Sequence, residues 1–180
     1  RTGGFRYTGA LRIAQTMLSY GYLWNEIRSK GGAYGCAVRF GRGGSVVFSS
    51  YRDPKLEATD KVYEGTPAYL EHYEADEREM TKAIIGAIGE MDTPRSAQMS
   101  GQLALAAYYS KVTDEMLSAE RREVLTATPA DIRALAPLVR EALRYEAKCV
   151  IGNESAIERA EDFFTEIPQL FAKESEETEA

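Results

Sequence analysis

Histidine is almost absent from this sequence. Among 180 residues there is one, His72, and it lies in the polar stretch 71–77. A catalytic zinc ion needs about three protein ligands, usually including histidines. The zinc-binding patterns H-E-x-x-H and H-x-x-E-H do not occur in the sequence either. We therefore expect His72 to be a surface residue, and we expect this chain to provide no metal site by itself.

Cysteine is also scarce. The two cysteines, Cys36 and Cys149, lie in strand-like segments, so we expect buried, reduced thiols rather than a disulfide framework. Reduced thiols favour a reducing compartment, such as a bacterial cytoplasm or an organelle matrix. A nucleophilic cysteine or serine usually needs a histidine as its base, and the one histidine, His72, lies among charged residues. These patterns disfavour a cysteine or serine hydrolase centre within the chain.

The sequence has neither an excess of positive charge nor a long apolar run. Its net charge is −6, and no basic stripe is present that would bind phosphates, so nucleic acid is not expected as a partner. Arg39, Arg42 and Arg52 lie near a predicted hairpin, where a solvated edge is a more ordinary role than an anion site. No segment has the length of a transmembrane helix and no signal segment opens the chain, so no membrane partner is expected.

What is present is enough for one domain of ordinary size. We expect residues 1–172 to form a single domain. The acidic segment 173–180 has no apolar anchor, and we expect it to be a disordered tail. Because the first residue is Arg1 rather than methionine, we also expect the chain to be part of a longer polypeptide.

The first predicted element is an apolar helix. Apolar residues recur at helical spacing from about Thr8 to Arg28, and Gly21 could break the helix on the way. Gly31 and Gly32 end it, because glycine accepts the left-handed conformation that closes helices.

A hairpin is predicted next, followed much later by one more strand. Segments 33–40 and 45–51 are strand-like, and the glycine-rich link 41–44 favours a hairpin between them. Segment 145–151 is a late strand. These strands make little sheet for so many helices, so we expect the opening strands of the sheet to lie upstream of Arg1. The fold class is α/β of the α+β type, a mainly antiparallel sheet packed against several helices.

Start signals predict the remaining helices. Asp53 as cap and Pro54 at the first position mark one start, and Pro67 is expected to kink or divide that helix. Further helices are predicted to start near Asp76, Pro94, Thr113, Thr128 and Glu154.

Arg28 and Tyr34 are the candidate functional residues. A guanidinium at a helix end and a phenol at the start of a strand, separated by two glycines, could hold peptide carbonyl groups. The residues alone also fit a structural role, in which Arg28 extends past the helix end and Tyr34 packs in the sheet. A phosphate loop is disfavoured, because such loops run from strand through glycines to helix and this order is the reverse.

Five short segments together resemble one family of proteins, the presequence-protease-type zinc peptidases of the pitrilysin/insulinase group. The matching segments are YLWNEIR at 22–28, KGGAYG at 30–35, SYRDP at 50–54, TKAIIGAIG at 81–89 and VIGN at 150–153. They follow in the family's order, and the resemblance covers about residues 4–165. The chain is similar to the last domain of these enzymes.

The resemblance implies a function that residue spacing does not. Family members are built of four similar α/β units that enclose a peptide, and the first unit holds the zinc ion. The last unit supplies an arginine and a tyrosine near the scissile bond, which correspond here to Arg28 and Tyr34, positioned by Gly31 and Gly32. The expected partners are an unstructured peptide and the N-terminal catalytic half of the same polypeptide. Zinc is expected outside this chain, which alone should be inactive. The alternative is a non-catalytic assembly or peptide-binding module of the same superfamily.

Overall fold

The computed structural model describes residues 6–168, which fall into two compact units, one ending at Tyr145 and one starting at Glu146. The described part is mostly helical with a small antiparallel sheet, which confirms the α+β class. In chain order the first unit contains α1 Gly9–Met17, π-helical turns Leu18–Tyr22 and Trp24–Ser29, β1 Gly35–Phe40, β2 Val46–Tyr51, α2 Leu56–Glu71, α3 Glu77–Met91, α4 Ala97–Ser110, α5 Asp114–Leu125, α6 Pro129–Arg133 and α7 Ala136–Leu143. The second unit contains α8 Glu154–Glu158 and a 3₁₀ turn, Glu161–Phe163.

The first helix continues from α1 through both π-helical turns to Ser29. Its apolar residues Ile13, Leu18, Leu23 and Ile27 are fully buried, as the helical spacing predicts. Gly21 does not break the helix. It lies within the first π-helical turn, where the hydrogen-bonded backbone and the buried apolar stripe on either side of it hold the helical path.

The hairpin is confirmed, with β1 starting two residues later than predicted. β1 and β2 pair antiparallel, with Gly35 opposite Tyr51 and Phe40 opposite Val46. The link closes through a hydrogen bond from the Gly41 N–H to the Ser45 carbonyl at 2.8 Å. One face of the hairpin packs on the core through Val38 and Phe40, and the other face is largely open to solvent.

The core of the first unit lies between the first helix, the inner face of the hairpin and the later helices. α1 packs against β1, α3, α5 and α6, and α2 packs against α7. The largest buried side chains include Ile13, Leu70, Val124, Ile132 and Val139, one from each of five helices. By contrast, α4 buries none of its residues.

Helix starts were predicted well where a polar cap is present. Asp76 and Thr128 both form capping boxes, and Thr113 caps α5, as predicted. Two predicted starts are early. α4 begins at Ala97 because Ser96, not Pro94, provides the cap. α2 begins only at Leu56.

Two other predictions are corrected. Pro67 does not divide α2, which runs unbroken to Glu71. Its ring is buried, so apolar packing offsets the missing backbone hydrogen bond. Segment 145–151 is not a strand. It is irregular and mostly exposed, because a strand requires a partner for its backbone groups and the described residues of the second unit contain no strand.

The second unit is short. Asn153 caps α8 by accepting a hydrogen bond from the Ala156 N–H at 3.1 Å. The ammonium of Lys148 lies 4.6 Å from the centre of the Phe163 ring. The division into a domain of 1–172 and a disordered tail stays a prediction, since the tail, 173–180, lies outside the described residues. Within residues 6–168, no helix has both the length and the apolarity needed to cross a membrane.

Candidate functional site

The helix that carries Arg28 ends at two glycines, and the structure requires glycine at both. A Cβ atom on Gly31 would lie 2.3 Å from the Ile27 carbonyl oxygen, a distance that real side chains do not tolerate. Gly32 has φ +90°, in the left-handed region that favours glycine. The Gly32 N–H donates to the Arg28 carbonyl at 2.9 Å, and the Ala33 N–H donates to the Ile27 carbonyl at 3.1 Å. The chain therefore turns tightly between Arg28 and Tyr34.

This turn places the Arg28 guanidinium among aromatic rings. Its central carbon lies 4.0 Å from the centre of the Trp24 ring and 5.9 Å from that of Tyr34. Trp24 precedes Arg28 by one helical turn, so their side chains meet on one helix face. Such cation–π contacts hold the guanidinium in place and leave its N–H donors available.

Tyr34 lies at the open end of the hairpin, and its ring is not part of the buried face of the sheet. Its side chain is 64% exposed. Its backbone N–H donates to the Tyr51 carbonyl at 3.0 Å, and its ring meets the Tyr51 ring edge-on at 5.9 Å. The backbone hydrogen bond positions Tyr34, the Tyr51 ring orients its side chain, and much of the side chain is open to solvent.

Arg52 joins this group from the end of β2. Its guanidinium carbon lies 5.9 Å from the centre of the Tyr34 ring and 5.5 Å from that of Tyr51. Sequence reasoning assigned Arg52 to a solvated edge and missed this contact. The hairpin register contains the signal, because pairing Gly35 with Tyr51 brings Arg52 beside Tyr34. We call Trp24, Arg28, Tyr34, Tyr51 and Arg52 the arginine–tyrosine cluster.

The nearby acidic side chains are already paired elsewhere. Glu26 accepts a hydrogen bond from the Lys30 ammonium at 2.6 Å. Asp53 accepts from the Lys55 N–H at 2.9 Å and from the Thr59 hydroxyl at 2.6 Å. It is not the cap of α2 as predicted, because the N-cap position falls two residues later, at Lys55. Within residues 6–168, neither Arg28 nor Arg52 has a carboxylate within ion-pair distance.

The other residues singled out from the sequence do not join the cluster as reactive groups. His72 is exposed, with Nδ1 2.9 Å from the Ala68 carbonyl oxygen. Cys36 is free and partly buried, and burial raises the pKa of its thiol although the charge of Arg28 acts to lower it. Cys149 is exposed, contrary to the predicted burial, because its segment forms no strand. Arg42 lies at the far end of the hairpin and pairs with Glu120.

The described residues do not fit a zinc ion. No three histidine, cysteine, aspartate or glutamate side chains between residues 6 and 168 are grouped closely enough to hold a metal. What the arginine–tyrosine cluster offers instead is hydrogen-bond donors. Guanidinium and phenol groups on an exposed surface can bind carbonyl or carboxylate oxygens.

Comparison with known proteins identifies the family. A sequence model described as "PreP C-terminal domain" matches residues 2–155. Protein HypA of Clostridium perfringens is 42% identical over 170 residues, 94% of this chain and 18% of that protein. Presequence protease 1, chloroplastic/mitochondrial, of Arabidopsis thaliana is 34% identical over 137 residues, 76% of this chain and 13% of that protein. The mitochondrial presequence protease of Schizosaccharomyces pombe is 32% identical over 148 residues, 81% of this chain and 14% of that protein.

The chain therefore spans less than a fifth of the length of these curated relatives. The family match, by contrast, covers nearly all of the first unit and the start of the second. It includes every residue of the arginine–tyrosine cluster. This chain belongs to the PreP C-terminal domain family.

Proposed function

We propose that this chain is the C-terminal, substrate-embracing unit of a zinc metalloendopeptidase that degrades unstructured peptides. The family match over residues 2–155 is the observation that carries this proposal. In it, the zinc site belongs to another part of the same polypeptide, since the residues described here do not fit one. The isolated chain is then inactive and binds no stoichiometric zinc.

Arg28 and Tyr34 bind the peptide in this proposal. The Arg28 guanidinium, held over the Trp24 ring, donates to a main-chain carbonyl oxygen near the scissile bond. The Tyr34 hydroxyl donates to the same peptide from the opposite side of the Gly31–Gly32 turn. Donors that are held in place before the substrate arrives orient it at little entropic cost. Main-chain carbonyl groups occur in every peptide, so this mode of binding suits substrates of varied sequence.

The test uses the longer polypeptide that contains this chain. Arg28→Ala removes a charge-assisted hydrogen bond of about 1.5–3 kcal/mol, so kcat/KM for an unstructured peptide should fall roughly ten- to hundredfold. Tyr34→Phe removes a neutral one and should cost roughly two- to tenfold. Zinc content should stay at the wild-type level in both variants.

Arg144→Ala is the matched control, because Arg144 is exposed and pairs with Glu141, three residues before it on the chain. It should leave kcat/KM unchanged. Wild-type kcat/KM in both Arg28→Ala and Tyr34→Phe would show that the pair does not bind substrate. Chelator-sensitive cleavage of a peptide by the isolated chain would contradict the proposed division of the site between two parts of the polypeptide.

A further inference from the structure

Two arginines, rather than one, lie next to Tyr34 and form no ion pair with any residue between 6 and 168. The guanidinium carbons of Arg28 and Arg52 are each 5.9 Å from the centre of the Tyr34 ring. They come from separate segments of the chain, the end of the first helix and the end of β2. Their separation can be no more than twice 5.9 Å. Both therefore lie within reach of one bound peptide.

The charge around these arginines differs from that of the whole chain. The net charge is −6, yet Glu26, two residues before Arg28, and Asp53, next to Arg52, are engaged by other donors. Two like charges left close together without a carboxylate are unfavourable, and acceptor oxygens from a ligand would relieve this. Both guanidinium groups lie against aromatic rings, which leave their N–H donors available to acceptor oxygens of a ligand.

The backbone of Arg52 supports the same conclusion. Arg52 has φ +49°, in the left-handed region that arginine rarely adopts. Contacts with the Tyr34 and Tyr51 rings fix its side chain there. A strained conformation that directs a charged group onto an exposed aromatic surface is more common at binding sites than elsewhere.

We propose that Arg52 is a second peptide-binding arginine, which donates to a main-chain carbonyl oxygen of the same peptide that Arg28 holds. This inference rests on the proposed function. An extended peptide advances about 3.3 Å per residue, so the upper limit on the separation of the two guanidinium carbons corresponds to about four residues of peptide. Arg28 acts near the scissile bond, and Arg52 acts on an adjoining residue of the peptide.

This division predicts different kinetic effects for the two arginines. A contact away from the reacting bond stabilises the bound peptide and the transition state equally, so its loss raises KM and leaves kcat unchanged. A contact near the reacting bond also affects kcat. A purely structural role for Arg52 would not depend on how far the peptide extends.

The experiment uses Arg52→Asn in the longer polypeptide, because asparagine tolerates the left-handed backbone conformation. For a long unstructured peptide, KM should rise about tenfold with kcat unchanged. Arg52→Lys, which keeps one charged donor group, should restore part of the loss. Arg39→Asn is the matched control on the same hairpin, since Arg39 is exposed and lies outside the cluster, and it should behave as wild type.

Shortened peptides make the test specific. Removing four residues from one side of the scissile bond, and from that side alone, should make the wild type and Arg52→Asn equal in KM. Three outcomes would refute the role of Arg52: a wild-type KM for the long peptide, a fall in kcat at constant KM, or the same effect with every shortened peptide. If Arg28→Ala lowers turnover in the same experiments, the proposed function stands without Arg52. If Arg28→Ala, Tyr34→Phe and Arg52→Asn all behave as wild type, the binding role proposed for Arg28 and Tyr34 fails together with that of Arg52.

Discussion

Four arginines of the first unit form two pairs in different surroundings. Arg12 and Arg42 both form ion pairs with Glu120, whose side chain is 4% exposed. Arg28 and Arg52 instead lie against tyrosine and tryptophan rings, with no carboxylate partner in the described part of the chain. The first pair joins α1, the hairpin link and α5. The second pair lies at the surface, with Arg28 partly buried and Arg52 exposed.

The comparison shows that the same side chain serves folding or binding according to its acceptor. A buried carboxylate is costly unless it is fully paired, so Glu120 requires both of its arginines. The pKa of Arg12 reflects this: burial acts to lower it, but the hydrogen bond to Glu120, together with the charges of Tyr7, Glu120 and Glu90, outweighs burial and raises it. An aromatic ring stabilises a guanidinium without using its N–H donors, and these donors remain available to a peptide.

The largest effect should come from breaking the buried cluster. Glu120→Ala leaves two cations without their acceptor and should lower the free energy of unfolding by about 3 kcal/mol, the lower end of the range for buried pairs because both arginines keep some solvent contact. Urea denaturation of the chain measures this. Asp92→Ala is the control. Asp92 forms a bidentate ion pair with Arg121, which lies next to Glu120 on α5, and this pair is exposed. A loss no greater than that of the control would show that the Glu120 cluster is not structural.

A smaller loss of folding stability is expected from a change in the glycine turn that follows Arg28. Gly31→Ala forces a Cβ atom against the Ile27 carbonyl and should cost about 1–3 kcal/mol. Because the helix end must shift, peptide turnover should fall as well. Gly89→Ala in α3 is the control, since nothing lies within 4 Å of its added Cβ, and it should raise helix stability by about 0.5–1 kcal/mol. Equal effects from both substitutions would contradict the requirement for glycine at this turn.

The dependence of stability on alkaline pH tests the burial of Tyr63, whose ring on α2 packs against Phe48 of β2. Burial raises the pKa of Tyr63 to about 12 from an ordinary value of 10.0. The folded state therefore retains a proton that the unfolded state loses, so this contribution is complete below pH 10 and is lost as pH rises towards 12. Allowing for partial solvent contact, we expect about 1 kcal/mol.

Tyr63→Phe should remove that part of the decline in stability between pH 10 and 12, measured by urea denaturation at each pH. Exposed Tyr109→Phe serves as the control and should leave the decline unchanged. An identical pH dependence in wild type and Tyr63→Phe would contradict a buried, protonated Tyr63.

The smallest effect should come from the exposed pair itself. Arg52→Asn relieves the left-handed strain at φ +49° but loses the contacts with the Tyr34 and Tyr51 rings. Each contribution is about 0.5–1 kcal/mol and they oppose each other, so the free energy of unfolding should change little. Arg42→Asn should lose stability, because it removes a partner of Glu120. Thermal or urea unfolding measures the stability of both variants, Arg52→Asn and Arg42→Asn, against the wild type. A loss of stability in Arg52→Asn comparable to that in Arg42→Asn would erase the distinction between the pairs.

The sequence predicted the elements whose causes are local. Capping side chains at Asp76, Thr113 and Thr128 specify three helix starts, and the glycine-rich link specifies the hairpin. Predictions failed where long-range effects decide. Gly21 and Pro67 disrupt helices in isolation, but buried neighbours on the same helices override them. Segment 145–151 has strand-like residues, but no strand in the described part of its unit pairs with it.

For the site, the sequence by itself determined the local device: Arg28 at a helix end, two glycines required by the turn, and Tyr34 just after them. Only the tertiary structure decided the rest. It brings Tyr51 and Arg52 to Tyr34 through the pairing of β1 with β2, and it joins Arg42 to Glu120 across 78 positions of the chain. Capping and turn geometry depend on neighbours along the chain, whereas the partner of a charged side chain depends on which distant segment packs beside it.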